Sequence, residues 1–401
     1  TTEKNSYNFA TSLYPLSSKK PNIVFEGHLD VVPANDSLEW KYPPFSGTIA
    51  ENAIWGRGAI DNKGPLVAGL MAILSYIELA KTTDLPFNIT LLAVSGEETG
   101  GAKGAKIVAE NYLDEIAPTV IWGEGGMGLL NIVPSKPNSP FFGISVNEKK
   151  PLWVNIISTN ESFGHGSVSS SKNAVEKLIH ALNALSYMPT IKPRDKHTKK
   201  VMTQIGKAEG GVKGHIIQSY SLGLYWELIK NKFRKDSVLY TFSQNTYSIT
   251  QLSTPAGSIN TVPQQAMATI DFRLMPETNT QQFLSKIKDV MGNNVKIEII
   301  LERPIAEATI PEIHYHKMVE ATSQSFPNAI FSPFLFPAIS DNNYFRLKGI
   351  PVYGFFPFIG DKETLSTIHN KNERMPIDKY LLAIKTYIQY LSIMQRIGME
   401  K

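Results

Sequence analysis

Short apolar, β-rich runs that break at glycine and lead directly into histidine or carboxylate side chains recur in the first third of the chain. Residues 22–26 lead into GHLD, residues 88–95 into GEE, and residues 119–122 into GEG. Between them, residues 65–80 and 102–111 have the apolar spacing of helices, and strands that alternate with helices indicate a mainly parallel sheet. Because parallel strands end along one sheet edge, where α/β proteins bind ligands, we expect these polar side chains to converge.

The first polar side chains in this pattern suit a metal site. In the extended segment His28-Leu29-Asp30 the two polar side chains point the same way, so the Asp30 carboxylate can hold the ring proton of His28 while the other ring nitrogen faces a metal. Asp61 follows the glycine turn at residues 56–58 and opens a helix. A structural histidine and a helix-capping aspartate are the alternative interpretations, and each is common for a residue taken alone.

Three glutamates follow the next strand-like runs. Glu97 and Glu98 are adjacent, and Glu124 stands in the segment GEGG. Negative charge at a helix N-terminus is one interpretation of the adjacent pair. The functional interpretation gives one glutamate to a metal and the other to general base catalysis, since adjacent side chains diverge.

The character of the sequence changes near residue 149 and changes back after residue 303. Antiparallel α+β structure is indicated between these points by strand-like runs at 152–158, 247–252, 266–274 and 294–301 and by helix-like runs at 173–185 and 281–290. We therefore predict an α/β catalytic domain formed by residues 1–147 and 304–401, with residues 148–303 inserted as a second domain.

Composition limits which metal ligands and which binding partners the protein can have. The chain has 401 residues and no cysteine, so any metal must be held by histidine and carboxylates. The net charge of +4 is small, and the basic run at 191–200 lacks interleaved aromatics, so we interpret the run as a solvated loop and expect no nucleic-acid partner.

No apolar run approaches the roughly 18 residues of a membrane span. Residues 1–6 lack the layout of a signal peptide, so we expect a soluble protein, cytoplasmic or exported by a signal that this chain does not contain.

Other histidines differ in their surroundings. His369 lies in the polar segment at residues 367–373, just before the helix-like run at 377–394, which is a plausible position for a last metal ligand. His314 and His316 form a His-x-His pair without a carboxylate neighbour at a strand end. We interpret this pair as structural or surface residues.

Several motifs together cover nearly the whole chain: GHLDVVP, PPFSG, GRGAIDNKG, SGEETG, WGEGG, FGHGS and IDFR. They resemble the motifs of the dizinc peptidases and deacylases that include carboxypeptidase S, aminoacylase, succinyl-diaminopimelate desuccinylase and carnosinase. The resemblance is closest to carboxypeptidase S and the N-acyl amino acid hydrolases. It implies hydrolysis of an amide bond next to a free carboxylate, in a peptide or an N-acyl amino acid.

The resemblance also implies a ligand set. His28 and Glu124 would bind one Zn²⁺, Glu98 and His369 would bind the other, and Asp61 would bridge the two ions. Co²⁺ or Mn²⁺ could substitute for zinc. Among the residues that do not bind metal, the resemblance makes Glu97 the general base and implies a cis peptide bond between Asp61 and Asn62. Asp30 is expected to support catalysis from its position beside His28, as the extended segment indicates.

The inserted domain corresponds to the lid and dimerisation domain of that family, so we expect a homodimer. His165 matches a residue that reaches the active site, often that of the partner subunit. Asn260 and Arg273 match contacts to the substrate carboxylate, although an ion pair between Arg273 and Asp271 is an alternative.

Ser340 and Asp341 lie in a further matching segment and are expected near the substrate. One departure is that family members usually carry a longer helical segment before the first strand than this chain has before His28.

The mechanism implied is attack by a water held between two metal ions, with Glu97 accepting its proton and with zinc and His165 stabilising the oxyanion. A dipeptidase is the alternative within the family. The glycine-rich segments at 56–58 and 100–104 suggest nucleotide binding but lack the spacing of either phosphate-binding motif. A metal-binding protein without activity is a third possibility, since fold alone does not fix function.

Overall fold

A computed structural model of the protein describes residues 7–34, 39–160, 164–167, 173–188 and 192–399. Residue 163, the first of the FGHGS motif, lies outside these ranges. In chain order, the strands are β1 (Phe9–Ser12), β2 (Asn22–His28), β3 (Thr48–Ala50), β4 (Ala53–Trp55), β5 (Asn88–Val94), β6 (Pro118–Leu129), β7 (Phe141–Glu148), β8 (Lys150–Thr159), β9 (Gly164–His165), β10 (Thr246–Ser253), β11 (Thr261–Val262), β12 (Gln265–Leu274), β13 (Lys296–Glu302), β14 (Ile330–Phe336), β15 (Val352–Gly360) and β16 (Arg374–Pro376).

The helices, again in chain order, are α1 (Lys63–Leu74), α2 (Ile77–Thr82), α3 (Ala105–Asn111), α4 (Leu113–Ile116), α5 (Ala174–Ser186), α6 (Lys196–Glu209), α7 (Gly211–Gln218), α8 (Gly223–Lys235), α9 (Ser237–Ser243), α10 (Thr280–Met291), α11 (Ile313–Ser325), α12 (Asn342–Arg346), α13 (Lys362–Leu365) and α14 (Ile377–Met399).

A seven-stranded sheet with the order β1-β5-β2-β6-β15-β7-β14 forms the centre of the protein. Its four middle strands, β5, β2, β6 and β15, are parallel, as the alternation of strands and helices predicts. β1 runs antiparallel to β5, and β7 runs antiparallel to β15. Both β2 and β5 are buried along their whole length, which explains why they have no polar alternation in sequence.

Helices cover this sheet, and α1 packs against β2, β5 and α14. Residues Lys63–Thr82, which contain α1 and α2, form the one helical stretch in the described part of the chain that is long and apolar enough to cross a membrane. The expectation that no apolar run approaches this length is therefore wrong. Length and composition alone do not distinguish a membrane span from a core helix, because both must be apolar.

A second sheet, with the order β10-β12-β8-β13, is antiparallel throughout, as predicted for the middle of the chain. All four strands lie between β7 and β14 in sequence, and α5 and α10 pack together beside the sheet. The helices α6 and α8, by contrast, share a buried cluster with Phe141 of β7. The segment that contains α6 and α8 therefore packs on the central sheet. The exact domain boundaries stay a prediction.

Two local interpretations were wrong. Glu124 lies inside β6 rather than after it, because β6 continues to Leu129 and pairs there with β7 and β15. The basic run at 191–200 is not simply a solvated loop. Its second half begins α6, where the Asp195 side chain accepts a hydrogen bond from the Thr198 backbone N–H and His197 is buried.

His314 is a structural residue. Its Nδ1 lies 2.6 Å from the Tyr390 hydroxyl, and burial lowers the pKa of His314 to about 4. Because the folded-state pKa is below that of the unfolded chain, the folded protein binds fewer protons and loses stability as pH falls from about 6.5 toward 4.

Replacing His314 with glutamine should remove this pH dependence. Between pH 7 and pH 5 the wild type should lose about 1 to 2 kcal/mol more unfolding free energy than His314→Gln, a range reduced for partial exposure. Denaturant unfolding at both pH values measures the difference. The exposed His316 provides the matched control, and equal pH slopes in wild type and His314→Gln would contradict the expectation.

Candidate active site

The predicted ligands converge at the carboxyl ends of the parallel strands. His28 ends β2, is 2% exposed, and places its Nε2 3.0 Å from Oδ1 of Asp61. The same nitrogen lies 3.8 Å from Oε2 of Glu124 on the neighbouring strand β6. These three residues offer donor atoms that all lie within 4.8 Å of one another, which is close enough to surround one metal ion.

A second cluster forms on the other oxygen of Asp61. Oδ2 of Asp61 is 3.0 Å from Nε2 of His369, and that nitrogen is 3.3 Å from Oε1 of Glu98. The three donor atoms again lie within 4.8 Å of one another. Asp61 therefore faces a histidine on each side, and its two oxygens can serve two neighbouring ions. The peptide bond Asp61-Asn62 is cis.

The residues present fit divalent metals. Oε2 of Glu124 is buried and accepts no hydrogen bond within the described part of the chain, and the buried Oε1 of Glu98 has only Nε2 of His369 beside it, 3.3 Å away. A buried carboxylate oxygen without a donor is costly, and a cation would satisfy it. Neutral imidazole and carboxylate donors are the ligands that zinc takes in proteins without cysteine.

Negative charge is concentrated around the two histidines of the clusters. Burial would lower the pKa of His28, but the hydrogen bond to Asp61 and the nearby glutamates raise it to about 11. Hydrogen bonds to Asp61 and Glu98 raise the pKa of His369 to about 10. Burial raises the pKa of Glu124 well above its usual value, and the charge of Asp61 raises it further. These shifts arise from negative charge gathered around both histidines, and a divalent cation is favoured in such surroundings.

Glu373 organises the loop that carries Asp61, a role that the sequence analysis missed. Its buried carboxylate accepts hydrogen bonds from the backbone N–H groups of Gly58 (2.9 Å), Ile60 (2.8 Å) and Asp61 (3.1 Å). It also pairs with Arg57 at 2.7 Å. The sequence offered one signal for this role, because Glu373 is a carboxylate only four residues after His369.

Asp30 supports the site in a different way from the one predicted. Its backbone carbonyl, not its carboxylate, lies 2.9 Å from Nδ1 of His28, while Oδ1 is 3.7 Å away. The carboxylate instead accepts hydrogen bonds from the backbone N–H groups of Gly96 (2.8 Å), Glu97 (3.2 Å) and Glu98 (3.1 Å). The turn after β5 aims three backbone N–H donors at the Asp30 carboxylate, and three donors satisfy this acceptor better than the single ring proton of His28 would.

Glu97 lies in the same pocket as the two clusters, with Ser340 and Asp341. Burial, followed by the charge of Asp341, raises the pKa of Glu97 to about 8. Ser340 is buried and donates its hydroxyl proton to Glu148 at 2.6 Å, and its contact with substrate stays a prediction. Asp341 keeps one buried oxygen, Oδ2, without a partner among the described residues.

Two arginines, Arg273 in β12 and Arg303 directly after β13, also line this 520 Å³ pocket. Arg273 forms the ion pair that was its alternative interpretation, with Nε and Nη2 each 2.8 Å from an oxygen of Asp271. Its contact with substrate stays a prediction. Arg303 lines the pocket as well. It could not be singled out from the sequence, because it belongs to none of the motifs named above.

His165 and Asn260 lie together and outside the described lining of the metal pocket. β9 pairs with β11, and Nδ2 of Asn260 is 3.3 Å from Nε2 of His165. Both residues are exposed, and neither is among the described residues that line the pocket of Glu97. This chain does not bring them to its own clusters.

A mainly parallel sheet with two histidine-carboxylate clusters at its edge, sharing one aspartate, defines a metal-dependent hydrolase. A family model described as peptidase family M20/M25/M40 matches residues 24–392, so the chain belongs to this family. The predicted class of enzyme, which hydrolyses amide bonds, is confirmed.

Relatives and solved structures agree with this assignment. A carboxypeptidase S-like protein of Dictyostelium discoideum is 27% identical over 92% of this chain and 71% of its own length. An N-fatty-acyl-amino acid synthase/hydrolase of Bos taurus is 26% identical over 93% of this chain and 74% of its own. An M20 metallo-carboxypeptidase from Sulfolobus solfataricus shares the fold with a TM-score of 0.67, at 22% identity, over 97% of this chain and 88% of that structure.

Proposed function

We propose that the protein hydrolyses N-acyl amino acids with long apolar acyl chains, using two zinc ions. The observation that carries the metal assignment is Asp61, whose two oxygens each lie 3.0 Å from a different histidine. Bound zinc would lower the pKa of a water molecule and polarise the amide carbonyl. Co²⁺ or Mn²⁺ could take the same ligands.

Glu97 would then move the proton. Its carboxylate lines the pocket beside both clusters without belonging to either three-residue donor group. Burial raises the pKa of Glu97 to about 8. Bound cations would lower this pKa toward the pH at which the enzyme works, where a general base is most effective. Glu97 can therefore accept a proton from the attacking water and donate it to the leaving amine.

An apolar cavity of 460 Å³ supports the choice of acyl group. It lies between α6, α8, α9 and the central sheet, and its lining includes Phe141, Met202, Ile205 and Phe233. Gly125, Met127 and Phe336 line both this cavity and the pocket of Glu97. The two spaces therefore adjoin at the strand that carries Glu124.

The cavity suits an uncharged chain. Lys232 and Asp236 are the charged side chains in its described lining, whereas both arginines lie in the metal pocket. The carboxylate end of an N-acyl amino acid would therefore stay in the metal pocket, and its acyl chain would enter the cavity. The volume falls within the roughly 300–1,000 Å³ of ligand sites, and the bovine relative is named for fatty-acyl substrates.

A chain-length series tests this function. With zinc added, kcat/KM should rise about three- to four-fold for each methylene from acetyl to dodecanoyl amino acids, since each buried methylene contributes about 0.8 kcal/mol. Dipeptides should be poor substrates. Val238→Trp, at the half-exposed rim of the cavity, should reduce kcat/KM about ten-fold for dodecanoyl substrates and leave acetyl substrates unchanged.

Val212→Trp is the matched control, because Val212 is 79% exposed and does not line the cavity. Equal rates for acetyl and dodecanoyl substrates would reject the acyl assignment. Better turnover of dipeptides would favour a dipeptidase.

We also propose a homodimer in which His165 completes the active site of the partner subunit. The exposure of His165 and its absence from the described lining of its own metal pocket support delivery to a partner.

A further inference from the structure

We propose that the surface formed by α8 and the start of α9 docks on a lipid bilayer with anionic headgroups, so that the acyl cavity opens at the membrane. The inference rests on the proposed hydrolysis of N-acyl amino acids with long acyl chains. This α8–α9 surface consists of three exposed apolar residues and three exposed cations: Leu224, Leu228 and Val238, and Lys232, Arg234 and Lys235.

The two faces of α8 differ in what they contact. Trp226, Ile229 and Phe233 recur at helical spacing on the inner face. Ile229 and Phe233 line the acyl cavity, and the rings of Trp226 and Phe233 lie 5.5 Å apart between centroids. Leu224 and Leu228 lie on the outer face and are 74% and 62% exposed. Neighbouring exposed leucines on one helix face are typical of a surface that contacts an apolar partner.

The acids of this region do not neutralise its positive charge. Glu227 forms an ion pair with Lys230, and Asp236 caps the start of α9 by accepting hydrogen bonds from two backbone N–H groups. The three cations stand together in the last turn of α8 and form no ion pair within the described part of the chain. Anionic lipid attracts such cations, whereas an apolar protein partner would bury them uncompensated. The charge therefore favours an anionic bilayer.

The acyl cavity opens on this same surface. Lys232 and Val238 line the cavity, and both side chains are also exposed. The cavity adjoins the metal pocket as well, at Gly125 and Met127. A substrate with its amide at the metal clusters would therefore extend its acyl chain toward the opening beside Lys232 and Val238. If that opening lies on a bilayer, the end of a long chain meets lipid rather than water.

Docking on a bilayer suits the proposed substrates. Long-chain N-acyl amino acids partition into bilayers, because every methylene favours transfer out of water. An enzyme docked by the α8–α9 surface receives them without moving the whole acyl chain through water. A second copy of this chain could also cover the apolar residues, but a two-fold interface would bring both sets of cations together. A lipid surface is therefore the better partner.

Sedimentation with vesicles tests the docking without substrate or turnover. The probes are vesicles of phosphatidylcholine alone and vesicles of phosphatidylcholine with phosphatidylserine. Wild type should bind the anionic vesicles about 100-fold more tightly than the neutral ones, and high salt should remove this preference. Arg234→Gln/Lys235→Gln should weaken binding to anionic vesicles about 30-fold. Leu224→Gln/Leu228→Gln should weaken it about 10- to 100-fold. None of these four residues lines the acyl cavity.

Leu381→Gln/Lys385→Gln is the matched control. Both residues are exposed on α14, four positions apart, and neither lines the cavity. This variant should bind anionic vesicles within about two-fold of wild type, as expected for substitutions on an uninvolved surface.

The inference would be overturned by a wild type that sediments with neither kind of vesicle, or by equal losses in all three variants. Analytical ultracentrifugation covers the other occupant. Loss of a dimer in Leu224→Gln/Leu228→Gln with vesicle binding unchanged would overturn the inference in favour of a second copy. Failure of the proposed function would look different, because the protein would then bind anionic vesicles but not hydrolyse N-dodecanoylalanine held in them.

Discussion

Replacing Glu97 with glutamine is expected to reduce kcat by about 10²- to 10⁴-fold while both metal ions stay bound. Glutamine has nearly the same shape but cannot accept the proton of the attacking water. Glu97 is outside both three-residue donor groups, so its loss leaves their ligand atoms in place. Elemental analysis of the dialysed protein, combined with the rate on an N-acyl amino acid, measures both parts of the expectation.

The neighbouring glutamate provides the control. Glu98 contributes Oε1 to the cluster with Asp61 and His369, so Glu98→Gln should lose much of one metal equivalent, because a neutral amide is a poorer zinc ligand. Both residues belong to the same short turn, and general damage to that turn would affect both variants alike. Equal metal loss in the two variants would contradict the assignment of Glu97 as a base.

The central features of the site could be predicted because they follow from strand geometry. Apolar runs fix where β2 and β5 end, and parallel pairing brings those ends to one edge. His28 is the last residue of β2 and Glu98 comes shortly after β5, so their convergence needed no knowledge of side-chain packing.

Other features could not be predicted because they depend on contacts between distant segments. Arg303 approaches Gly100 only after the chain has passed through the whole second sheet. Asp30 had two sets of donors within reach, and the choice between the His28 ring and the turn after β5 depends on how that turn closes. Glu124 was placed after its strand because glycines commonly end strands, but here they lie within β6.

His165 is the remaining residue for which position decides function. It lies on the short ribbon of β9 and β11, where its Nδ1 is 2.7 Å from the Ser167 hydroxyl and Asn260 approaches its other nitrogen. Both ring nitrogens thus have polar neighbours, which fix the ring on an exposed ribbon. An imidazole held in this way on the surface is suited to stabilise an oxyanion in another subunit.

Mixing two inactive variants distinguishes delivery to the partner from delivery within one chain. If His165→Ala and Glu97→Gln subunits are co-refolded, half of the dimers are mixed, and a partner-delivered His165 restores one of the two sites in each. Activity should therefore return to about one quarter of wild type, by the two-fold symmetry of the dimer. Delivery within one chain leaves every site without one group, and no activity returns.

The matched control is a mixture of Glu97→Gln and Glu98→Gln subunits. Because both residues belong to the same turn of one chain, no mixed dimer contains a site with both intact under either arrangement. Recovery in the first mixture but not in the second identifies His165 as the shared group, since refolding or metal exchange would affect both mixtures equally. A protein that is monomeric at working concentration, or mixed dimers without activity, would reject the proposed exchange of His165 between subunits.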